Sequence, residues 1–255
     1  MTLTEQITTL ILKTNALRFG DFTLKSGRKS PYFFNLGCIH QHEDLMTLGQ
    51  CYAQTIADLN LDFNTVLGAA YKGIPIACYT LAALNPTQNQ PLAMAYDRKE
   101  KKAHGEGGQL VGVADDARLI LIDDVITAGT AMVSLIEKIR AHGQSSIAAI
   151  VVALNRQEKT IHGVSASQWI QDYYDIPVYS LLTLDHLINH LPAGTLDEDA
   201  LFYMRSRGIK ELEAKAFLTY AFSSEVIENI SMPELQRFAK QLLAKKLNVS
   251  LDFEL

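Results

Sequence analysis

The stretch Leu119-Ile120-Leu121-Ile122-Asp123-Asp124-Val125-Ile126-Thr127-Ala128-Gly129-Thr130 limits what this chain can fold into more than any other. Its four leading apolar residues predict a strand buried on both faces, the character of a central strand in a parallel sheet. Two carboxylates follow at the carboxyl end of that strand, then a short Thr-Ala-Gly-Thr turn, then helical spacing from Ala131 to Ile139. Strand, turn and helix in this order predict an open α/β sheet, where ligands bind beyond the carboxyl ends of the strands.

The residue types of the turn say which ligand. Gly129 lets the backbone adopt angles that other residues resist, so successive N–H groups can converge on one anion. The helix start adds partial positive charge, and the hydroxyls of Thr127 and Thr130 add donors. The loop suits a phosphate monoester. It lacks the Gly-Lys-Ser/Thr ending of a triphosphate P-loop, and no G-x-G-x-x-G follows a strand. Asp123 and Asp124 repel that same anion and suit hydroxyl groups, as acceptors for a vicinal diol. A phosphate at one end and a diol at the other describe a ribose 5-phosphate. The plainer alternative is an acidic strand end before an ordinary turn, and twelve residues in this order argue against it.

In these residues the chain resembles the 5-phosphoribosyl-1-pyrophosphate (PRPP) signature of the type I phosphoribosyltransferases. The resemblance implies that the run from Asp123 to Ala131 holds the ribose 5-phosphate of that donor.

The 255 residues suffice for one large domain, or one domain with an appendage. A net charge of −5 gives no basic footprint, so nucleic acid is not the expected partner. No signal peptide and no apolar run long enough for a membrane span is read, and no membrane partner is expected. Cys38, Cys51 and Cys78 have no C-x-x-C spacing and read as buried thiols in a reducing cytoplasm. His40-Gln41-His42 has no further metal-ligating cluster near it, so no protein-held metal is expected there.

Thr2-x-x-Glu5 is a capping box, and Leu3, Ile7, Leu10, Ile11 and Leu17 predict one apolar helical face that ends at Phe19-Gly20-Asp21. Phe22–Gly27 and Pro31–Asn35 predict a hairpin joined by the polar turn Arg28-Lys29-Ser30. Tyr32, Phe33 and Phe34 cannot all face one core, because alternate strand residues point to opposite faces. One phenylalanine is therefore free to form a flat wall for a ring; burial of both is the alternative. A helix is predicted over Asp44–Leu59, a strand over Thr65–Ala70, and a helix from Pro75 to Leu84. Lys72 then lies on a tight loop at the same sheet edge as Asp123.

A strand over Leu92–Tyr96 leads into Asp97-Arg98-Lys99-Glu100-Lys101-Lys102-Ala103-His104-Gly105-Glu106-Gly107-Gly108. Its cations, hinge glycines and length predict a mobile lid rather than a passive charged loop. Further strands are read over Ser146–Leu154 and Ile176–Leu181, with a helix capped by Ser165-x-x-Gln168 between them and a short helix over 183–191. Strands alternating with helices predict βαβ units, hence an α/β fold with a mainly parallel sheet and flanking helices.

Several of these blocks together resemble bacterial orotate phosphoribosyltransferase over residues 1–191. They are Phe22–Asn35, Tyr71-Lys72-Gly73-Ile74-Pro75, Arg98-Lys99-Glu100 with His104–Gly108, the PRPP loop, and Arg156-Gln157-Glu158. The resemblance implies a type I phosphoribosyltransferase fold and transfer of ribose 5-phosphate from PRPP to N1 of orotate, giving orotidine 5′-monophosphate and pyrophosphate. It implies that Lys25 touches substrate, that Phe33 and Phe34 line the orotate site, and that Tyr71 and Lys72 meet the pyrophosphate. It implies catalytic roles for Arg98, Lys102, His104, Asp123 and Asp124, with Lys99 also on the lid. Some lid cations would reach into the partner's site of a homodimer, and Arg156 would bind the carboxylate side of orotate. Mg²⁺ is the implied cofactor, held mainly by the pyrophosphate and ribose hydroxyls rather than by protein ligands. One departure is Asn155, where the resemblance predicts an aspartate. Another PRPP-dependent base transferase, a PRPP-sensing regulator and an interaction protein are the rival readings; the Phe33-Phe34 and Arg156 pocket and the cationic lid disfavour the first two.

Residues 192–255 do not continue that pattern. Thr195–Ile209 and Glu213–Phe222 resemble the C-terminal helical segment of SufB/SufD-type iron–sulfur assembly proteins, without the cysteine-and-histidine region that precedes it there. The stretch predicts a helical appendage joined through Pro192-Ala193-Gly194, with apolar stripes that read as packing faces.

Overall fold

The computed structural model describes residues 1–23, 29–84, 91–99, 109–158, 160, 163–184 and 186–187. They fall into two units: Met1–Ala16 with Leu36–Leu187, and a second containing Leu17–Asn35. The predicted tail, and most of the helix read over 183–191, lie outside the described residues.

The first unit opens with α1 (Leu3–Lys13), whose capping box is present: Glu5 N–H donates to Thr2 Oγ1 at 3.2 Å, and Thr2 N–H to the Glu5 carboxylate at 2.7 Å. The helix is shorter than its apolar spacing predicts. Thr14 caps it and Asn15 turns left-handed at φ 53°, a conformation Asn tolerates and a helix cannot continue through. Leu17 therefore leaves the predicted helical face and opens a strand.

That strand belongs to the second unit, a hairpin of β1 (Leu17–Thr23) and antiparallel β2 (Lys29–Phe34). Lys29 and Ser30 are strand residues, paired with Thr23 and Phe22, rather than part of the predicted turn at 28–30. Tyr32 and Phe34 are buried and Phe33 between them is half-buried. Phe33 is flanked by the Phe22 ring at 5.5 Å and by the Arg18 guanidinium at 5.7 Å.

The remaining elements of the first unit are α2 (His42–Asp58), β3 (Thr65–Gly68), α3 (Gly73–Leu84), β4 (Ala93–Asp97), β5 (Leu110–Val111), β6 (Arg118–Ile126), α4 (Thr130–His142), β7 (Ser146–Asn155), α5 (Ala166–Tyr174) and β8 (Val178–Thr183). The sheet runs β5-β4-β3-β6-β7-β8, parallel except for β5. Leu119, Ile120, Leu121 and Ile122 are fully buried at its centre. Leu119 and Leu121 pack with Leu135, Ile136 and Ile139 of α4 and with Ile170 of α5. Ile120 and Ile122 point to the other face by the pleat, and α3 approaches β6 there. Each such side chain removed from water contributes roughly 1.5–3 kcal/mol, so the central run anchors both layers.

The strand order also positions the site. The chain passes from β3 outward to β4, then returns to the other side of β3 as β6. The crevice between the carboxyl ends of β3 and β6 is thus a topological switch point, where open α/β sheets take their ligands. Of the three thiols only Cys51 is buried; Cys78 faces outward from α3 and is exposed, contrary to its predicted burial. Among the described residues, no helix is long and apolar enough to cross a membrane.

Candidate active site

Two loops meet at the switch point. The first leaves β3 through Ala69–Lys72, with the Ala70–Tyr71 peptide bond cis, and enters α3 at Gly73. Backbone packs on backbone here. A Cβ on Gly68 would stand 2.5 Å from the Gly73 carbonyl oxygen, and one on Gly73 would collide with the Ile122 carbonyl oxygen. This close approach carries Lys72 against β6, where its Nζ lies 2.8 Å from Asp124 Oδ2.

The second loop leaves β6. That strand runs on to Ile126, so Asp123 and Asp124 lie inside its last turn of pairing rather than just beyond it. Gly129 follows with φ 77° and caps α4; a Cβ there would also meet Ala166 Cβ at 3.0 Å. The left-handed backbone favours glycine, and a side chain there would also crowd Ala166. Asp123 and Val125–Met132, the last three of them the first residues of α4, line a cavity of about 260 Å³. Main-chain N–H groups and the hydroxyls of Thr127 and Thr130 are the donors available there to an anion.

The two carboxylates are held by their neighbours' amides. Asp124 N–H donates to Asp123 Oδ1 at 2.8 Å, and Val125 N–H to Asp124 Oδ1 at 2.9 Å. Asp124 meets Lys72 while Asp123 lines the cavity. Burial, and then the charge of Asp124, pushes the Asp123 carboxyl up to about 7.

Tyr52 of α2 also serves this strand end, a role its place on an apolar helical face does not disclose. It is fully buried, and its hydroxyl donates to the Asp123 main-chain carbonyl at 2.8 Å. Burial and the two carboxylates push that hydroxyl well above its ordinary range, so it stays a neutral donor. Tyr52→Phe is expected to cost about 1 kcal/mol, read as a fall of roughly 2–4 °C in the thermal unfolding midpoint.

Tyr71 is exposed, and Lys99 Nζ lies over its ring at 4.5 Å from the centroid. Arg98 N–H donates to the Gln109 carbonyl at 2.6 Å, which joins the two ends of the predicted lid. Arg156 follows β7, is buried, and has Nε 2.8 Å from Glu158 Oε1. Its N–H donates to the Ile126 carbonyl at 3.3 Å, which sets it beside the Gly129 loop. Asn155 uses its amide both ways, donating to Ser167 Oγ at 2.9 Å and accepting from Gln157 N–H at 2.9 Å. An aspartate could not make the first of these as donor. Phe33 and Phe34 belong to the hairpin unit, and Lys25, Lys102 and His104 lie outside the described residues.

Residues 39–168 match the phosphoribosyl transferase domain family, which fits a phosphate cradle, a diacid and a lysine loop gathered at one switch point. The chain is 49% identical to an orotate phosphoribosyltransferase of Saccharophagus degradans over 182 residues, 71% of this chain and 85% of the relative. It is 44% identical to that of Erwinia tasmaniensis over 195 residues, 76% of this chain and 91% of the relative. The crystal structure of the Francisella tularensis orotate phosphoribosyltransferase superposes with a TM-score of 0.62 at 36% identity, covering 72% of this chain and 88% of that one. The chain belongs to the orotate phosphoribosyltransferase family. Residues 190–222 separately match the SufBD core domain of the SUF iron–sulfur cluster assembly system.

Proposed function

We propose that this chain transfers the 5-phosphoribosyl group of PRPP to N1 of orotate, releasing pyrophosphate and giving orotidine 5′-monophosphate for pyrimidine biosynthesis. The observation that carries this is the meeting of Lys72 with Asp124 at 2.8 Å beside the Gly129 cradle. A cation for a diphosphate, acceptors for a diol and amides for a monoester stand in the order in which PRPP presents those groups.

The chemistry follows from where charge develops. As the bond to pyrophosphate breaks, the ribose ring gains positive charge and the leaving group negative charge. Asp123 and Asp124 bind the 2′ and 3′ hydroxyls and oppose the first. Lys72, Tyr71 and the lid residues Arg98, Lys99, Lys102 and His104 receive the second and exclude water that would hydrolyse PRPP. Val125 to Ala131 hold the 5-phosphate. Arg156 takes the orotate carboxylate, displacing Glu158 from its guanidinium; roles for Lys25, Phe33 and Phe34 toward orotate are what the family resemblance implies. Orotate's ring nitrogen is acidic, so no strong general base is required.

Among the described residues no group of three His, Cys, Asp or Glu is placed to hold a metal. Mg²⁺ would arrive on the diphosphate and would neutralise charge on the leaving group. The working form is a homodimer in which lid cations complete the partner's site, acting in the cytoplasm. Residues 1–191 form the transferase domain and 192–255 a helical appendage dispensable for the chemistry.

The test follows loss of orotate absorbance with PRPP and Mg²⁺, for the full chain and for one ending at residue 192. Both are expected to turn over orotate and to leave uracil and adenine untouched. Turnover of adenine but not orotate would sink the base assignment. A folded but inactive short chain would sink the division at 192.

A further inference from the structure

Asp97 opens the charged run in the sequence and reads there as the first residue of the lid. The structure places it elsewhere. It is the last residue of β4, buried, with its side chain 7% exposed. Its Oδ1 accepts the N–H of Ala70 at 2.6 Å, and its Oδ2 lies 3.0 Å from Lys138 Nζ. The Ala70 N–H is where the β3 ladder gives out: Ala69 N–H still donates to the Ile122 carbonyl at 2.9 Å, and the next amide has turned away to the carboxylate. Lys138 comes from α4, the helix whose start is the Gly129 loop. One buried carboxylate therefore ties the end of β4, the loop that carries Lys72, and the helix behind the phosphate cradle.

We propose that Asp97 is a positioning residue for the pyrophosphate end of the site, setting the Ala70–Lys72 loop through the Ala70 amide. Lys138 supplies the counter-charge that a buried carboxylate needs. Asp97 touches no substrate. Its bond to Ala70 stands two residues before Lys72, and Lys72 has a long flexible stem whose reach is set by where that backbone is held. The inference rests on reading the Tyr71–Lys72 loop as the pyrophosphate subsite.

The experiment uses the full chain and its Asp97→Ala, Asp97→Asn, Asp97→Glu and Lys72→Ala variants, each checked for fold by circular dichroism. Binding of magnesium pyrophosphate and of ribose 5-phosphate is measured separately by titration calorimetry. Asp97→Ala is expected to weaken pyrophosphate at least about tenfold, the loss typical of a hydrogen bond to a charged group, and to leave ribose 5-phosphate unchanged. Asp97→Asn keeps an oxygen for the Ala70 amide and is expected to recover most of that loss. Asp97→Glu, which keeps the charge but lengthens the arm, is expected to show the selective loss even where the alanine variant fails to fold. Equal weakening of both ligands, wild-type pyrophosphate binding in the folded Ala or Glu variant, or an Asn variant as poor as Ala would each overturn the proposal. Wild-type pyrophosphate binding in Lys72→Ala would overturn the subsite reading beneath it. Loss in Lys72→Ala alone would leave that reading standing and remove only Asp97's role.

Discussion

A Gly73→Ala chain is expected to lose at least about 3 kcal/mol of stability, the upper end of ordinary overpacking, and to bind pyrophosphate poorly even where it remains folded. A Cβ at that position collides with the main-chain oxygen of Ile122. That oxygen cannot yield, because it already accepts the Ala69 N–H at 2.9 Å and belongs to the fully buried centre of β6. Nor can α3 slide aside, since Gly68 faces the Gly73 carbonyl at 2.5 Å from where its own Cβ would be. The helix start has to lift from the sheet, and Lys72, one residue earlier, lifts with it and away from Asp124. Thermal unfolding should fall by roughly 6–12 °C. Calorimetric titration with magnesium pyrophosphate should show the loss of binding in whatever folded fraction remains. An unfolding midpoint within about 2 °C of wild type would mean that the loop tolerates a side chain and that Lys72 is not placed by this contact.

Which parts of this arrangement can be read in advance follows from the range of the forces involved. Leu119–Ile122 declares a doubly buried strand because the requirement is local: every residue in it must be apolar. Gly129 and the Ser165 cap are equally local, the one a backbone angle and the other a hydrogen bond to Gln168 three residues on. Leu17 misleads because helical spacing continues past the point where Asn15 turns left-handed, and periodicity carries no record of that turn. Asp97 and Tyr52 mislead for another reason. A carboxylate at the head of a charged run resembles its neighbours, and a tyrosine on an apolar stripe resembles core. Their partners, the Ala70 amide and the Asp123 carbonyl, are main-chain groups that any residue type would present. Gly68 and Gly73 belong to the same class: five residues apart in sequence, they show their function only once both lie against β6.

Removing the charge of Asp123 is expected to change both how the protein responds to pH and how well it uses PRPP. The folded chain holds this proton up to about 7, whereas an unperturbed carboxyl releases it near 3.8. Between those values the native state binds more protons than the unfolded one, so the contribution of this group to stability is fully present below about pH 4. It falls away as pH rises toward 7, by on the order of a few kcal/mol. Asp123→Asn should flatten that decline, making the variant the more stable of the two near neutrality; denaturant unfolding across pH 4 to 8 reads the difference. Substrate use should move in the opposite direction. Diol hydroxyls donate to an ionised carboxylate, so kcat/KM for PRPP should rise by up to about tenfold per pH unit below 7 and level off above it. In Asp123→Asn that limb should vanish, with the plateau about 10²-fold lower, the scale of losing one group that faces developing charge. Titration of the PRPP phosphates is common to both proteins, so it cancels in the comparison. A variant that keeps the ascending limb would show that some other group titrates there. One that keeps the wild-type plateau would show that Asp123 does not hold the ribose.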